Sequence, residues 1–110
     1  MSAIFETVRE IALALPEVEE GPCYGTPGFR VRGKLFARIR EDGETLVLKI
    51  DLDARELLLA ADPEAFFLTD HYRGYPYVLV RLPAVDPEQL RELLEDAWRL
   101  SAPKRLAASR

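Results

Sequence analysis

The sequence predicts an α+β fold, a two-layer sandwich in which an antiparallel sheet of about five strands carries its helices mainly on one face. Apolar residues recur at helical spacing near both ends of the chain, which indicates amphipathic helices there. Alternating segments follow one another across short turns in the middle of the chain, which indicates hairpins. The predicted order is αβββαββα, with one sheet face partly open.

The first predicted helix has Ser2 as its N-cap and runs to Leu15, since the residue before Pro16 avoids the α region. Its apolar stripe consists of Ile4, Phe5, Val8, Ile11, Ala12 and Leu15. The next segment, Pro16–Gly28, is rich in proline and glycine, and we expect a surface loop there.

Three strands should follow as a meander, namely Phe29–Arg32, Lys34–Arg40 and Thr45–Ile50. Alternation places Leu35, Ala37 and Ile39 of the second strand on the core side. The opposite, basic face should collect Arg30, Arg32, Lys34, Arg38, Arg40, Lys49 and Arg81, with Phe36 and Tyr77. A bulge would scatter this set, because a slip of one residue exchanges the faces.

A second helix should begin at Asp53, which would form a capping box with Glu56, and end near Ala61 with Leu57 and Leu58 toward the core. The remaining predicted elements are a strand Phe66–Thr69, a loop Asp70–Pro76, a strand Tyr77–Leu82, and a last helix capped by Asp86 and interrupted by Pro103 before a basic tail.

Composition is that of an ordinary globular chain, with 110 residues, 48% apolar and 31% charged, and predicts one domain over residues 1–110. The single cysteine, Cys23, excludes an internal disulfide and fits a reducing compartment. No apolar run approaches the roughly 20 residues of a membrane span, and the acidic start is unlike a signal peptide. We therefore expect a cytoplasmic protein with no membrane partner.

Catalytic motifs are absent from the sequence. One histidine and one cysteine make a zinc site improbable. Cys23 with His71 is the one conceivable nucleophile–base pair, but a lone cysteine is more commonly a small buried hydrophobe. We expect no catalytic residue, no metal and no cofactor.

Two features remain as candidate sites. The chain has a net charge of −4, yet no acid lies between Glu20 and Glu41, and that interval holds one third of the lysines and arginines. Such cations are suited to bind phosphates. Alternatively, they form a solvated face whose long side chains cover apolar neighbours.

The loop His71–Pro76 offers an imidazole, a guanidinium and phenols for a ligand. Alternatively, its tyrosines seal the core. In it, Gly74 can adopt a positive φ and the Tyr75-Pro76 bond can be cis.

Three stretches of the chain, Ala14–Ile39, Asp70–Leu82 and Trp98–Leu106, resemble the MmcQ/YjbR family of small bacterial proteins. The resemblance covers nearly the whole chain. It departs at Asp70, where the family often has proline, and at Tyr77, where tryptophan is common. It implies a two-layer α+β fold similar to secretion-chaperone-like and frataxin-like proteins, and the DNA-binding label that much of the family carries.

The resulting hypothesis is a non-enzymatic domain that binds double-stranded DNA mostly through phosphate contacts. The basic strands supply Arg30, Arg32, Lys34, Arg38, Arg40 and Lys49, and the resemblance adds Arg73, Tyr75, Lys104 and Arg105. The alternative is a protein- or small-molecule-binding module that uses the tyrosine-rich loop 70–77. The oligomeric state stays open, with a monomer slightly favoured.

Overall fold

The computed structural model describes residues 2–109 and contains one six-stranded sheet and four α-helices in that range. The strands are β1 (Val18–Cys23), β2 (Thr26–Val31), β3 (Lys34–Ile39), β4 (Thr45–Lys49), β5 (Phe66–Phe67) and β6 (Tyr77–Arg81). The helices are α1 (Phe5–Leu13), α2 (Leu52–Ala61), α3 (Pro87–Ser101) and α4 (Lys104–Ala108). All strand pairs are antiparallel, in the order β1-β2-β3-β4-β6-β5. The predicted α+β class is confirmed, with six strands where about five were expected.

The additional strand is β1, in the segment that the sequence analysis assigned wrongly to a loop. β1 and β2 form a hairpin whose turn residues Tyr24 and Gly25 have φ of 53° and 82°, the combination that type I′ turns require. Pro22 and Pro27 are tolerated because they face each other at the edge of the sheet. Pro27 lies beyond the residues of β2 that pair with β3, so no ladder hydrogen bond to β3 is lost.

A β-bulge in β3 changes which side chains reach each face. The register with β2 passes from Phe29 opposite Ala37 to Arg30 opposite Leu35, so Phe36 is the extra residue. Phe36 and Ala37 are both buried in the core, whereas Leu35 is only half-buried. The expected positions of Phe36 on the basic face and Leu35 in the core are therefore wrong.

The core lies between the sheet and the helices, and its largest buried side chains include Trp98, Phe29 and Phe36. α3 packs against β3 and α1, and its Trp98 indole N–H donates to the Pro16 carbonyl at 3.0 Å. This bond joins the last long helix to the end of the first. The buried side of α3 consists of Leu90, Leu94, Ala97, Trp98 and Ser101.

Two predicted helix starts are wrong and one is confirmed. α1 begins after Ile4 rather than Ser2, and the Thr7 hydroxyl accepts from the Ile4 N–H at 3.3 Å. α2 is capped by Asp51, whose carboxylate accepts from two backbone N–H groups of the first turn at 3.1 and 3.2 Å, in place of the expected Asp53 capping box. Asp86 caps α3, accepting from the Gln89 N–H at 2.8 Å.

The outward side of α2 also differs from the prediction. Leu57, which was expected in the core, is 72% exposed, whereas Arg55 is buried.

At the other end of the chain, α3 ends before Pro103 as expected, but the basic tail forms the short helix α4. Leu106 and Ala107 of α4 pack against the core, so α4 belongs to the helical layer.

Within residues 2–109, no helix combines the length and the apolar character needed to cross a membrane.

The bulge predicts unequal costs for two neighbouring truncations. Phe36→Ala should lower the free energy of unfolding by about 3–5 kcal/mol, because it leaves a cavity in the core. Leu35→Ala should cost less than roughly half of that, since Leu35 is already partly in solvent. Denaturant unfolding of both variants measures the difference. Equal losses, or a larger loss for Leu35→Ala, would contradict the assigned faces.

Candidate ligand site on the open sheet face

The face of the sheet away from the helices is itself covered at its centre. Strand register places Arg38, Val47, Leu79 and Phe67 side by side across β3, β4, β6 and β5. Val47 and Leu79 are 2% and 0% exposed, although neither belongs to the core under the helices. The segment between β5 and β6 lies over this face and leaves a concave surface rather than a flat one.

That concave surface collects all four tyrosines of the chain and its single histidine around one arginine. A depression of about 290 Å³, called the tyrosine depression below, is lined by Tyr24, Leu35, Arg38, Val47, His71, Tyr72, Tyr75 and Tyr77. A second, more open depression of about 550 Å³ adjoins it, sharing four of these residues and adding Arg40, Glu41 and Thr69. Distant segments of the sequence therefore build one site.

Arg38 is the cation at the centre of this arrangement. Its guanidinium donates to the Tyr72 phenol oxygen at 2.9 Å and to the Thr26 hydroxyl oxygen at 3.4 Å, and lies 5.5 Å from the Tyr24 ring centroid. Among the described residues no carboxylate lies within ion-pair distance of it. A guanidinium has five N–H donors, so Arg38 keeps donors for an anion.

Local hydrogen bonds and ring contacts shape the loop between β5 and β6. A 3₁₀ turn, Asp70–Tyr72, starts it, and the Tyr75 N–H donates to the Tyr72 carbonyl at 3.1 Å. The Tyr72 ring meets His71 edge-on, with centroids 4.7 Å apart, and lies 6.0 Å from Tyr77. Neither backbone conformation that the sequence allows for this loop occurs: no peptide bond among the described residues is cis, and Gly74 has no positive φ.

Arg55, which the sequence analysis missed, holds this loop from the helical layer. It is 7% exposed and donates to the carbonyls of Tyr75 at 2.7 Å, Tyr77 at 3.2 Å and Arg73 at 3.3 Å. The burial of Arg55 could have been predicted from its position three residues before Leu58, because residues three apart lie on the same side of a helix. A buried arginine that binds three carbonyls positions the loop rather than a ligand.

Tyr24 was also missed, although a tyrosine–glycine pair between two apolar segments is a turn signal. At the tip of the β1–β2 turn its side chain is 87% exposed. Tyr75, at 56% exposure, presents a second accessible ring from the β5–β6 loop. The two rings come from different segments and line the same depression.

The structure brings together only part of the predicted DNA-contacting set. Arg38 and Tyr75 line the tyrosine depression, and Arg40 lines the adjoining one. Arg73 is exposed on the same loop, 3.6 Å from the Asp70 carboxylate. Lys49 pairs with Tyr77 in the sheet, but it lines a groove between β4, α2 and α3.

The other predicted contacts line neither depression. Arg32 is in the β2–β3 turn, paired with Glu17. Arg30 pairs with Leu35 and therefore lies on the open face, where its guanidinium donates to the Pro22 carbonyl at 3.4 Å. Lys34 lies opposite the buried Val31, so the bulge removes it from the open face. Lys104 and Arg105 belong to α4 in the helical layer. The ten predicted residues therefore do not form one continuous basic face.

Burial changes the acidity of one phenol at the site. Burial, with smaller contributions from Tyr72 and Cys23, raises the pKa of Tyr77 above its ordinary value of 10.0. The Tyr77 hydroxyl is therefore a neutral hydrogen-bond donor and acceptor at neutral pH. Cys23 is a buried free thiol, and no hydrogen bond joins it to His71 in the part of the chain described.

Comparisons with known proteins place this chain among bacterial relatives. The family model described as YjbR matches residues 13–100. The crystal structure of Deinococcus radiodurans protein DR2400, with family domain DUF419, is similar at a TM-score of 0.77 and 28% identity over 91% of this chain and 78% of that chain.

Two curated relatives are Uncharacterized protein Mb2600 of Mycobacterium bovis and Uncharacterized protein Rv2570 of Mycobacterium tuberculosis. Each is 47% identical over 49 residues, or 44% of this chain. The match spans 38% of the length of each relative, and their names state no activity.

Removing the buried arginine should loosen the loop. Arg55→Met should cost about 1–3 kcal/mol of unfolding free energy and speed amide hydrogen exchange in residues 73–77, because three carbonyls lose their donor. Arg91→Met, at an exposed position on α3, is the matched control and should change neither quantity. Unchanged exchange in Arg55→Met would show that the loop holds its shape without this contact.

Ionisation of Tyr77 should destabilise the fold at high pH. Because the pKa of Tyr77 is higher in the folded chain than in the unfolded chain, its contribution to stability should be fully present below pH 10.0 and be lost as the pH rises through the folded value. Denaturant unfolding as a function of pH, with Tyr77→Phe for comparison, measures this contribution. A wild-type curve that matches Tyr77→Phe above pH 10.0 would contradict it.

Proposed function

This chain belongs to the YjbR family, and we propose that it is a non-enzymatic binding module whose ligand site is the tyrosine depression. The observation that supports this proposal is the half-buried Arg38 guanidinium, which has no carboxylate partner in the described chain and is surrounded by tyrosine rings. A cation left without an acid inside an aromatic concavity is an arrangement suited to an incoming anion.

The shape of the site favours a small molecule over an extended macromolecule. The two adjoining depressions, of about 290 and 550 Å³, are of the size that small-molecule pockets usually have. The lining of the tyrosine depression is mostly aromatic and apolar with few polar groups, as in such pockets, and the adjoining depression adds the polar side chains of Arg40, Glu41 and Thr69. A duplex backbone instead requires several cations spread over the surface, so that they contact successive phosphates.

Double-stranded DNA is the second candidate, and one observation favours it. Arg38 and Arg40 line adjoining depressions, and Arg73 is exposed on the loop that borders them. These cations could contact neighbouring phosphates, with Tyr75 beside them. Against this, Arg32 is paired with Glu17, and Lys104 and Arg105 lie in the helical layer.

Mapping of small-molecule binding tests the proposal. In a ligand-observed and protein-observed NMR screen, bound compounds should shift resonances of His71, Tyr75 and their neighbours. Arg38→Met and Tyr75→Ala should weaken binding, whereas Arg91→Met on the opposite, helical side should not. Binding that maps only to the groove between α2 and α3, or none to the open face, would contradict the proposal.

A duplex titration separates the two candidates. The proposed small-molecule module should show no measurable duplex binding at about 50 mM salt. The DNA candidate requires an affinity that falls steeply with salt and weakens similarly for all sequences in Arg38→Ala. Fluorescence anisotropy with several duplexes measures both properties.

A further inference from the structure

The tyrosine depression contains enough chemistry to indicate the class of its ligand. We infer that it binds a small aromatic carboxylate, with the carboxylate on Arg38 and the aromatic ring against Tyr24 and Tyr75. This inference rests on the proposed function, since it assigns the ligand class of the same site. Charge, hydrogen-bond donors and exposed rings each support one part of it.

The charge of the site indicates a ligand with a single negative charge. Among residues 2–109, Arg38 is the one arginine or lysine in the lining of the tyrosine depression. Arg40 lines only the adjoining depression, whose lining also contains the acid Glu41. One guanidinium matches one carboxylate, whereas a phosphate dianion usually requires a second cation or several backbone donors.

The donors around Arg38 are arranged for an oxygen anion. Tyr72 accepts a hydrogen bond from Arg38 at 2.9 Å, so the Tyr72 hydroxyl proton is left to donate elsewhere. Thr26 accepts from Arg38 at 3.4 Å while its own proton goes to the Cys23 carbonyl at 2.9 Å. These two contacts fix the guanidinium plane before a ligand arrives. The preset orientation reduces the entropy lost when a carboxylate binds.

The accessible rings indicate an aromatic body for the ligand. Tyr24 and Tyr75 are 87% and 56% exposed, although both line a concave surface. Tyr24 is at a turn whose left-handed backbone fixes its position, and Tyr75 is on the loop that Arg55 holds. Aromatic pairs contribute beyond area burial, so a ring placed against these two tyrosines gains affinity over an aliphatic body.

Benzoate is the probe that tests the inference, and two matched compounds accompany it: cyclohexanecarboxylate, whose ring is not aromatic, and benzamide, which lacks the charge. Protein-observed NMR titrations give the dissociation constants and the location of binding. Benzoate should bind in the tyrosine depression, cyclohexanecarboxylate should bind about 2- to 10-fold more weakly, and benzamide roughly 10-fold or more weakly.

Variants test the assigned roles. Arg38→Met should weaken benzoate binding roughly 10- to 100-fold, and Arg38→Lys should weaken it less because the charge is kept. Tyr72→Phe keeps the ring but removes the hydroxyl, and should weaken binding by about 2- to 10-fold. Tyr24→Ala should have a similar effect. Arg91→Met is the control, and thermal unfolding checks that each variant is folded.

Three results would overturn the inference. Benzoate affinity equal in wild type and in the folded Arg38→Met and Tyr72→Phe variants would remove Arg38 and its hydroxyl neighbour from the site. Benzamide that binds as tightly as benzoate would exclude anion recognition. Phenyl phosphate that binds in the depression when benzoate does not would change the ligand class and leave the proposed function intact. If no probe or library compound binds there, the proposed function itself is wrong.

Discussion

The β-bulge at Phe36 is the constraint on which both faces of the sheet depend, because side chains alternate along a strand and one added residue exchanges the faces. Phe36 and Ala37 both enter the core. The alternation of side chains between the two faces is therefore shifted by one residue at the bulge. Leu35 and Arg38 consequently share the open face, three residues apart, and line one depression. A regular strand would have placed Phe36 beside Arg38 and left the helices over a smaller core.

The open face is concave because the loop between β5 and β6 covers it, and Arg55 connects that loop to the other side of the sheet. Arg55 reaches from α2 to three loop carbonyls, while Tyr72 contacts Arg38 and the ring of Tyr77. A loop tethered in this way loses little entropy when it meets a ligand. The helical layer, the sheet and the loop thus each contribute side chains that form or position one site.

The distribution of cations in the structure distinguishes between two functions, binding of DNA and binding of a small ligand, which the sequence did not distinguish. Dispersed, solvated arginines with local acidic partners contribute little specific binding energy, and Arg32 with Glu17 is such a pair. Arg38 differs because it is half-buried, bound by neutral hydroxyls and without a carboxylate at ion-pair distance among the described residues. A low-dielectric aromatic surrounding strengthens its attraction for a single anion. One such group suits a small ligand better than a polyanion.

Local periodicity and turn chemistry were sufficient to predict the α+β class, the antiparallel meander, the Asp86 cap of α3 and the tyrosine-rich loop. They were not sufficient for β1, since proline and glycine in an edge hairpin look like a loop when the pairing strand is unknown. The bulge, the burial of Arg55 and the placement of Tyr24, Arg38 and Tyr75 around one depression arise only when the chain has folded. Those features arise from contacts between residues far apart in the chain, and a local pattern carries no information about which distant partner a side chain will meet.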